Sequence, residues 1–389
     1  MADKLPPDSP SGGLHFSRRE AAGALGDLGL FIPLLVGMVA QCGLQLTPAL
    51  LFAGLMNVIT GLRFRIPMTI QPMKAIAAVA IAERLSEADI VAAGIITGVL
   101  MLLLGLFRST DKLAALIPLS VVRGLQLALG VKLAFDGFRM VVWNGSVFGY
   151  DSVAMGVLCL AVALLLGKSS RFPAALVVFV IGLLSLAAAG LHGSVPASPR
   201  LLWHLPQLWD RSPWLTGLWQ CAVPQVPLTL LNSVVAVCAL SANLFPARPA
   251  SPRNVAMSVG LMNLLCCPRG GMPMCHGAGG LASQYRFGVR NGGSLVILGA
   301  GMIALALVFG GILLPWMEHY PRAVLGVLLA LGGLELARVC RDQIAWKDIT
   351  CMLVTCAACL LTNMALGFLA GCVMRGLCAG LPNANVRPV

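Results

Sequence analysis

Between residues 20 and 379 the chain is a succession of apolar runs, separated by short breaks that are charged or rich in Pro and Gly. The runs fall at 20–43, 47–62, 66–83, 89–107, 113–135, 152–167, 172–191, 215–242, 254–268, 272–285, 293–315, 321–337, 348–361 and 363–379. A helix that crosses a bilayer needs about 20 mostly apolar residues, and irregular backbone is not tolerated against lipid. The expected fold class is therefore an all-α polytopic membrane protein with about 14 transmembrane segments, several of them short. Composition agrees, since 11% of the residues are charged against about 25% in soluble domains.

The formal net charge of +12 invites a nucleic-acid reading, but the basic residues are scattered between apolar runs and form no patch. Membrane topology accounts for them. With the N-terminus in the cytoplasm, eighteen Lys and Arg residues fall on the inner side, among them Arg18, Arg63, Arg108, Lys112, Arg286 and Arg338. Six fall outside: Arg84, Arg139, Arg200, Arg211, Arg269 and Arg322. That excess of inward positive charge places both termini in the cytoplasm. The expected organisation is a tail at 1–19, a first half at 20–191, an extracytoplasmic loop at 192–214, a second half at 215–379 and a tail at 380–389.

Residues 1–19 lack an apolar core followed by a small-residue cleavage site, so no removed signal peptide is expected. The thirteen cysteines sit mostly inside apolar runs, where Cys behaves as a small hydrophobe, without disulfide or zinc spacing. No metal site or cofactor is expected. An enzyme is disfavoured too, because no metal-binding His pair, paired catalytic carboxylates or nucleophile motif occurs.

The halves echo each other. Residues 54–73 read GLMNVITGLRFRIPMTIQPM and residues 260–279 read GLMNLLCCPRGGMPMCHGAG. Gly54, Asn57, Pro67 and Met68 match Gly260, Asn263, Pro273 and Met274 at a constant offset of 206 (54 to 260, 67 to 273). A second echo pairs Pro118-Leu119-Ser120-Val121 with Pro321-Arg322-Ala323-Val324. On the span map the offset is seven helices, an odd number, which inverts the second half relative to the first. Inverted repeats with short, interrupted segments at matching positions point to a transporter's midplane site. Those segments are the third and tenth spans, 66–83 and 272–285.

Each begins with Pro-Met and a few strand-like residues. A helix is expected to start at Pro72, capped by Gln71, and another near Gly277. Helix N-termini are anion sites, each carrying roughly half a positive charge. Lys74 in such a first turn opposes the dipole, so it either faces an anion or belongs to a structural ion pair or a snorkelling side chain. Gln225, Thr229 and Asn232 recur at i, i+4 and i+7 and so share an expected helix face of neutral donors. The candidate binding residues are Gln71, Met73, Lys74, Gln225, Thr229, Asn232, His276, Gly277, Ala278 and Gly279. Gly26, Asp27 and Arg123 are candidates for coupling or support. Asp27 is either a proton-coupling carboxylate or a partner of Lys74, and Gly23, Gly26 and Gly29 suit helix packing equally well. Arg123 and Lys132 face either the cavity or the membrane border. His276 either bonds a ligand oxygen or caps a neighbour.

Several stretches resemble the molybdate transporter family, a distant relative of the sulfate permeases (SulP). They are Gly26-Asp27-Leu28-Gly29 with Phe31-Ile32-Pro33, Ile66 to Lys74, Pro118 to Gly124, Val223 to Thr229, and Met272 to Gly280. The resemblance implies a seven-plus-seven inverted-repeat fold, with a core of spans 1–4 and 8–11 and a gate of spans 5–7 and 12–14. It implies an oxyanion held between the third and tenth spans and carried by an elevator-like core movement. Only about ten residues follow the last span, so the cytoplasmic regulatory domain usual in sulfate permeases is not expected.

The resulting expectation is a secondary transporter of molybdate in a lipid bilayer. Sulfate, another tetrahedral dianion, is the nearest alternative substrate, and an anion channel the nearest alternative class. A homodimer remains an open assembly, and the cell surface and internal membranes such as the vacuolar one remain open locations.

Overall fold

The computed structural model describes residues 14–143, 145–167, 174–190 and 203–379, without the side chains of Arg18, Arg19, Asp27, 311–315 and Glu318. Most of the expected tails and half of the 192–214 loop lie outside these residues.

The chain enters through α1 (Arg18–Ala24), a 3-10 turn at Leu25–Asp27, α2 (Leu28–Cys42) and α3 (Leu46–Phe64). Strand β1 (Ile70–Pro72) leads into the ten-residue helix α4 (Lys74–Glu83). Then follow α5 (Glu87–Leu106), α6 (Thr110–Leu116), α7 (Leu119–Val142), α8 (Val153–Leu166) and α9 (Ala174–Ala188). The second half opens with one helical run over Arg211–Leu244. It comprises α10 (Arg211–Thr216), α11 (Val223–Leu228) and α12 (Ala236–Leu244), joined by wide π turns at Gly217–Ala222 and Thr229–Val235. Next come α13 (Pro252–Cys266), strand β2 (Met274–His276) and α14 (Ala278–Arg286). The chain closes with α15 (Gly293–Glu318), α16 (Arg322–Arg338), α17 (Trp346–Leu361) and α18 (Met364–Ala379).

Local chemistry sets many of these boundaries. Ser86 and Asp89 form a reciprocal capping box at the start of α5, and Ser251 caps α13 ahead of Pro252. Pro224 and Pro227 lie between the two π turns. Each proline removes a backbone donor, and wide turns accommodate such breaks.

Among the described residues, by length and composition, five helical runs can cross a membrane: Leu46–Phe64, Glu87–Leu106, Arg211–Leu244, Gly293–Gly310 and Arg322–Asp342. A sixth is the bent pair α6–α7, with 79° between its parts. Shorter apolar helices surround them at Leu28–Cys42, Val153–Leu166, Ala174–Ala188 and Met364–Cys378.

Small residues join the most intimate helix pairs. A Cβ on Gly54 would sit 2.6 Å from the Gly299 carbonyl, bringing α3 onto α15. One on Gly260 would meet the Leu102 amide at 2.6 Å, bringing α13 onto α5. One on Gly130 would meet the Gly333 carbonyl at 2.6 Å, bringing α7 onto α16. Close backbone approach of this kind drives helix association where lipid removes the hydrophobic incentive.

Candidate functional site

The breaks in the third and tenth expected spans come together. β1 and β2 pair antiparallel, with Ile70 opposite His276, Gln71 opposite Cys275 and Pro72 opposite Met274. The ribbon is closed at its ends by Met73 N–H donating to the Pro273 carbonyl (2.9 Å) and Gly277 N–H to the Thr69 carbonyl (3.2 Å). Extended backbone in a membrane interior must find partners for its polar groups, and the two strands supply each other's.

Two asparagines complete that satisfaction. Asn57 Oδ1 accepts the Ile70 N–H at 3.1 Å, and Asn263 Oδ1 accepts the Met274 N–H at 2.8 Å. Asn263 Nδ2 also donates to the Met274 carbonyl at 2.7 Å. Both residues are wholly buried. The internal repeat matched this pair, and a polar side chain kept at the same register in two apolar runs was the signal for the role they play.

The first half-helix starts two residues later than the sequence suggested. Gln71 and Pro72 stay in the ribbon, Met73 is the cap residue, and α4 begins at Lys74. Strand pairing decides the matter, because it satisfies the backbone of Ile70–Pro72 before a helix can. Lys74 keeps its expected place in the first turn. It is half-buried, and no described carboxylate pairs with it.

Gln225 reaches this helix end from α11. Its Oε1 accepts the N–H groups of Ala75 (2.8 Å) and Ile76 (3.2 Å), while its Nε2 donates to Thr229 Oγ1 at 2.8 Å. Gln225 is thus a cap supplied by a distant helix. Of the first three amides of α4, only that of Lys74 remains outside this contact.

The second half-helix differs. α14 begins at Ala278 with Gly277 as cap residue. The first amides of a helix have no intrahelical acceptor, and among the described residues no side chain accepts from those of Ala278, Gly279 and Gly280. Gly279 is exposed, and no atom lies within 4 Å of the place a Cβ would take. A Cβ on Gly277, by contrast, would collide with the Gln71 side chain.

The other candidates lie elsewhere. The π turn at Thr229–Val235 breaks the period on which the shared face rested. Asn232 meets Arg123 Nη1 at 3.4 Å, whereas Gln225 meets α4 and Thr229 bonds to Gln225. Arg123 itself is bound to Asp342 (Nε to Oδ2, 2.9 Å) and Gln126 (2.8 Å). Lys132 pairs with Glu83, the last residue of α4. His276 is buried, with Nε2 3.0 Å from Ser258 Oγ and its ring edge-on to Phe64. A Cβ on Gly26 would meet the Phe287 ring at 2.6 Å, and its carbonyl accepts from Ser283 Oγ at 2.8 Å. Gly29, like Gly279, borders open space. Asp27 belongs to the 3-10 turn, and its side chain lies outside the described residues. Among the described residues no group of His, Cys, Asp and Glu has metal-site geometry.

The ribbon thus sets one helix start that carries a cation beside another that begins Ala-Gly-Gly, with neutral side chains around them. The family model described as "Molybdate transporter of MFS superfamily" matches residues 19–133 and 217–336. "Molybdate transporter 2" of Arabidopsis thaliana is 38% identical, covering 91% of this chain and 86% of that protein. "Molybdate transporter 1" of the same plant is 37% identical (90% and 86%), and that of Chlamydomonas reinhardtii 33% (91% and 90%).

Among solved structures, the transmembrane domain of the cyanobacterial bicarbonate transporter BicA superposes with a TM-score of 0.66 at 14% identity, covering 92% of this chain and 98% of that one. SLC26A9 superposes at 0.67 with 13% identity, covering 93% and 65%. The fold is thus that of SLC26-type carriers. The chain is an integral membrane protein of the molybdate transporter family, on an anion-transporter fold shared with the SulP and SLC26 proteins.

Proposed function

We propose that the protein carries molybdate across its membrane by alternating access, with the oxyanion held between the N-terminal ends of α4 and α14. The observation that carries this reading is Lys74, a half-buried cation without a described carboxylate partner at the start of α4. A Lys at membrane depth costs about 2.5–3.5 kcal/mol on insertion scales, and the helix dipole adds to that cost. A dianion offsets both, and the uncapped amides of α14 supply donors for its remaining oxygens.

The chain is read as fourteen spans in two inverted halves. Gly130 and Gly333, separated by the same 203 residues as Pro118 and Pro321, touch one another, as equivalent residues beside a two-fold axis do. The α3–α15 contact is mirrored by α13–α5 in the same sense. Packing also favours two bodies. α3, α5, α13 and α15 join around the ribbon, whereas α7 packs on α16, α17 and α18. Lys132–Glu83 and Arg123–Asn232 link the two groups. An elevator-like shift of the first group against the second requires such links to exchange. The excess of basic residues on one side supports cytoplasmic termini.

The test is molybdate uptake into proteoliposomes, with excess sulfate as competitor. Saturable uptake that sulfate barely reduces is expected. Robust sulfate uptake without molybdate uptake overturns the substrate, and stepwise single-channel currents overturn the carrier.

A further inference from the structure

A crevice of about 570 Å³ has Leu100, Leu116, Ala222, Val226, Phe368 and Cys372 among its walls. Its lining contains no charged residue. The walls come from both bodies: α5 and the Arg211–Leu244 helix on one side, the α6–α7 joint and α18 on the other.

Water gains little in such a place, because a buried water needs two to four polar partners. An empty crevice forfeits dispersion contacts along its whole lining. In a membrane the apolar material at hand is the acyl chain. The mouth carries a second signal. α6 turns 79° from α7, as a helix lying in the membrane interface does. Around it Phe107 and Leu116 are 74% and 76% exposed, next to exposed Arg108 and Lys112. Asp111 lies between those two cations, and Arg375 of α18 is engaged by Asp348 at 2.6 Å. Basic residues beside an apolar slot match a phosphate attached to a hydrocarbon tail.

We infer that this crevice holds one acyl tail of an anionic phospholipid, with its phosphate at Arg108 and Lys112. The leaflet rests on the cytoplasmic placement of α6 under the proposed function, whereas the crevice and its lining do not.

The experiment uses the full chain in nanodiscs containing phosphatidylglycerol with a photoreactive diazirine in its acyl chain, with adducts mapped by peptide mass spectrometry. Adducts are expected to concentrate on 218–227 and 368–372, several-fold above those on Leu164 and Leu165, which are 69% and 82% exposed on α8. Even labelling of both faces overturns the site. Ala222→Phe, which fills the crevice, is expected to lower the adducts several-fold. If that variant loses its thermal transition, the surface double variant Arg108→Ala/Lys112→Ala decides. It should lose phosphatidylglycerol adducts several-fold and leave those of a phosphatidylcholine probe unchanged. Equal labelling by both probes, unaffected by the double variant, overturns the anionic assignment. Molybdate uptake is read in parallel: concentrated adducts without uptake count against the carrier and leave the lipid site standing.

Discussion

The two half-helices leave one antiparallel ribbon, yet they differ in nearly every chemical respect. α4 is apolar on all sides, with Ala75 to Ile81 buried, and its end is capped from outside by Gln225. α14 begins Ala-Gly-Gly, buries only Gly280, Leu281 and Gln284, and among the described residues has no side-chain cap. The backbone repeat gives both spans the same break, and the side chains divide the labour. α4 brings a fixed positive charge on a rigid, satisfied helix, and α14 brings bare amides with room in front of them. Two spans broken at the same register thus start their helices with different chemistry, which under the proposed function suits a tetrahedral dianion needing charge from one side and several donors from the other.

The comparison can be broken most forcefully at Gly277, where any Cβ collides with Gln71. Gly277→Val is expected to lower molybdate uptake at least about 100-fold, as misplacement by about an ångström can, while the protein still elutes as a single species. Uptake at the wild-type rate removes the close approach from the mechanism. Next comes the cation. A charge-assisted hydrogen bond contributes about 1.5–3 kcal/mol, so Lys74→Ala should weaken molybdate binding about 10- to 100-fold by equilibrium binding. Unchanged affinity takes the site away from α4.

Gln225 separates capping from binding. Gln225→Glu keeps the acceptor and suits the helix dipole, yet it sets a negative charge beside the dianion. The thermal transition should hold while affinity falls about tenfold or more; equal loss of both shows that the residue is only structural. The matched pair Asn57→Ala and Asn263→Ala tests the shared scaffold. Each leaves a buried strand amide without its acceptor, at about 1–3 kcal/mol. Unfolding should show comparable losses, larger for Asn263 because it also holds the Met274 carbonyl. A loss confined to one member breaks the equivalence of the halves. The smallest change is Gly279→Ala, which meets no neighbour. Stability should rise slightly, since Ala is favoured over Gly in a helix by about 0.5–1 kcal/mol, and affinity should fall less than tenfold. No change in affinity shows that the anion does not approach this residue.

What the sequence by itself determined is one-dimensional: lengths of apolar runs, the register of two broken segments, the constant residue offset between them, and the family stretches around Lys74 and Gly277. Those features set the membrane class and located both broken segments that pair in the ribbon, because bilayer thickness and helix rise convert directly into residue counts. Tertiary structure decided where α4 begins. The backbone of Gln71 and Pro72 is claimed by a strand some 200 residues away, and one strand carries no mark of its partner. It decided that Gln225 caps α4 from 150 residues away, and that Arg123 is bound to Asp342 across 219. It also turned Asn232 towards Arg123, since a π turn changes the period that a helical face assumes. The physical reason is common to all of these: in a membrane interior a polar group left without a partner is costly, and which partner it finds depends on which helices the glycine contacts bring together.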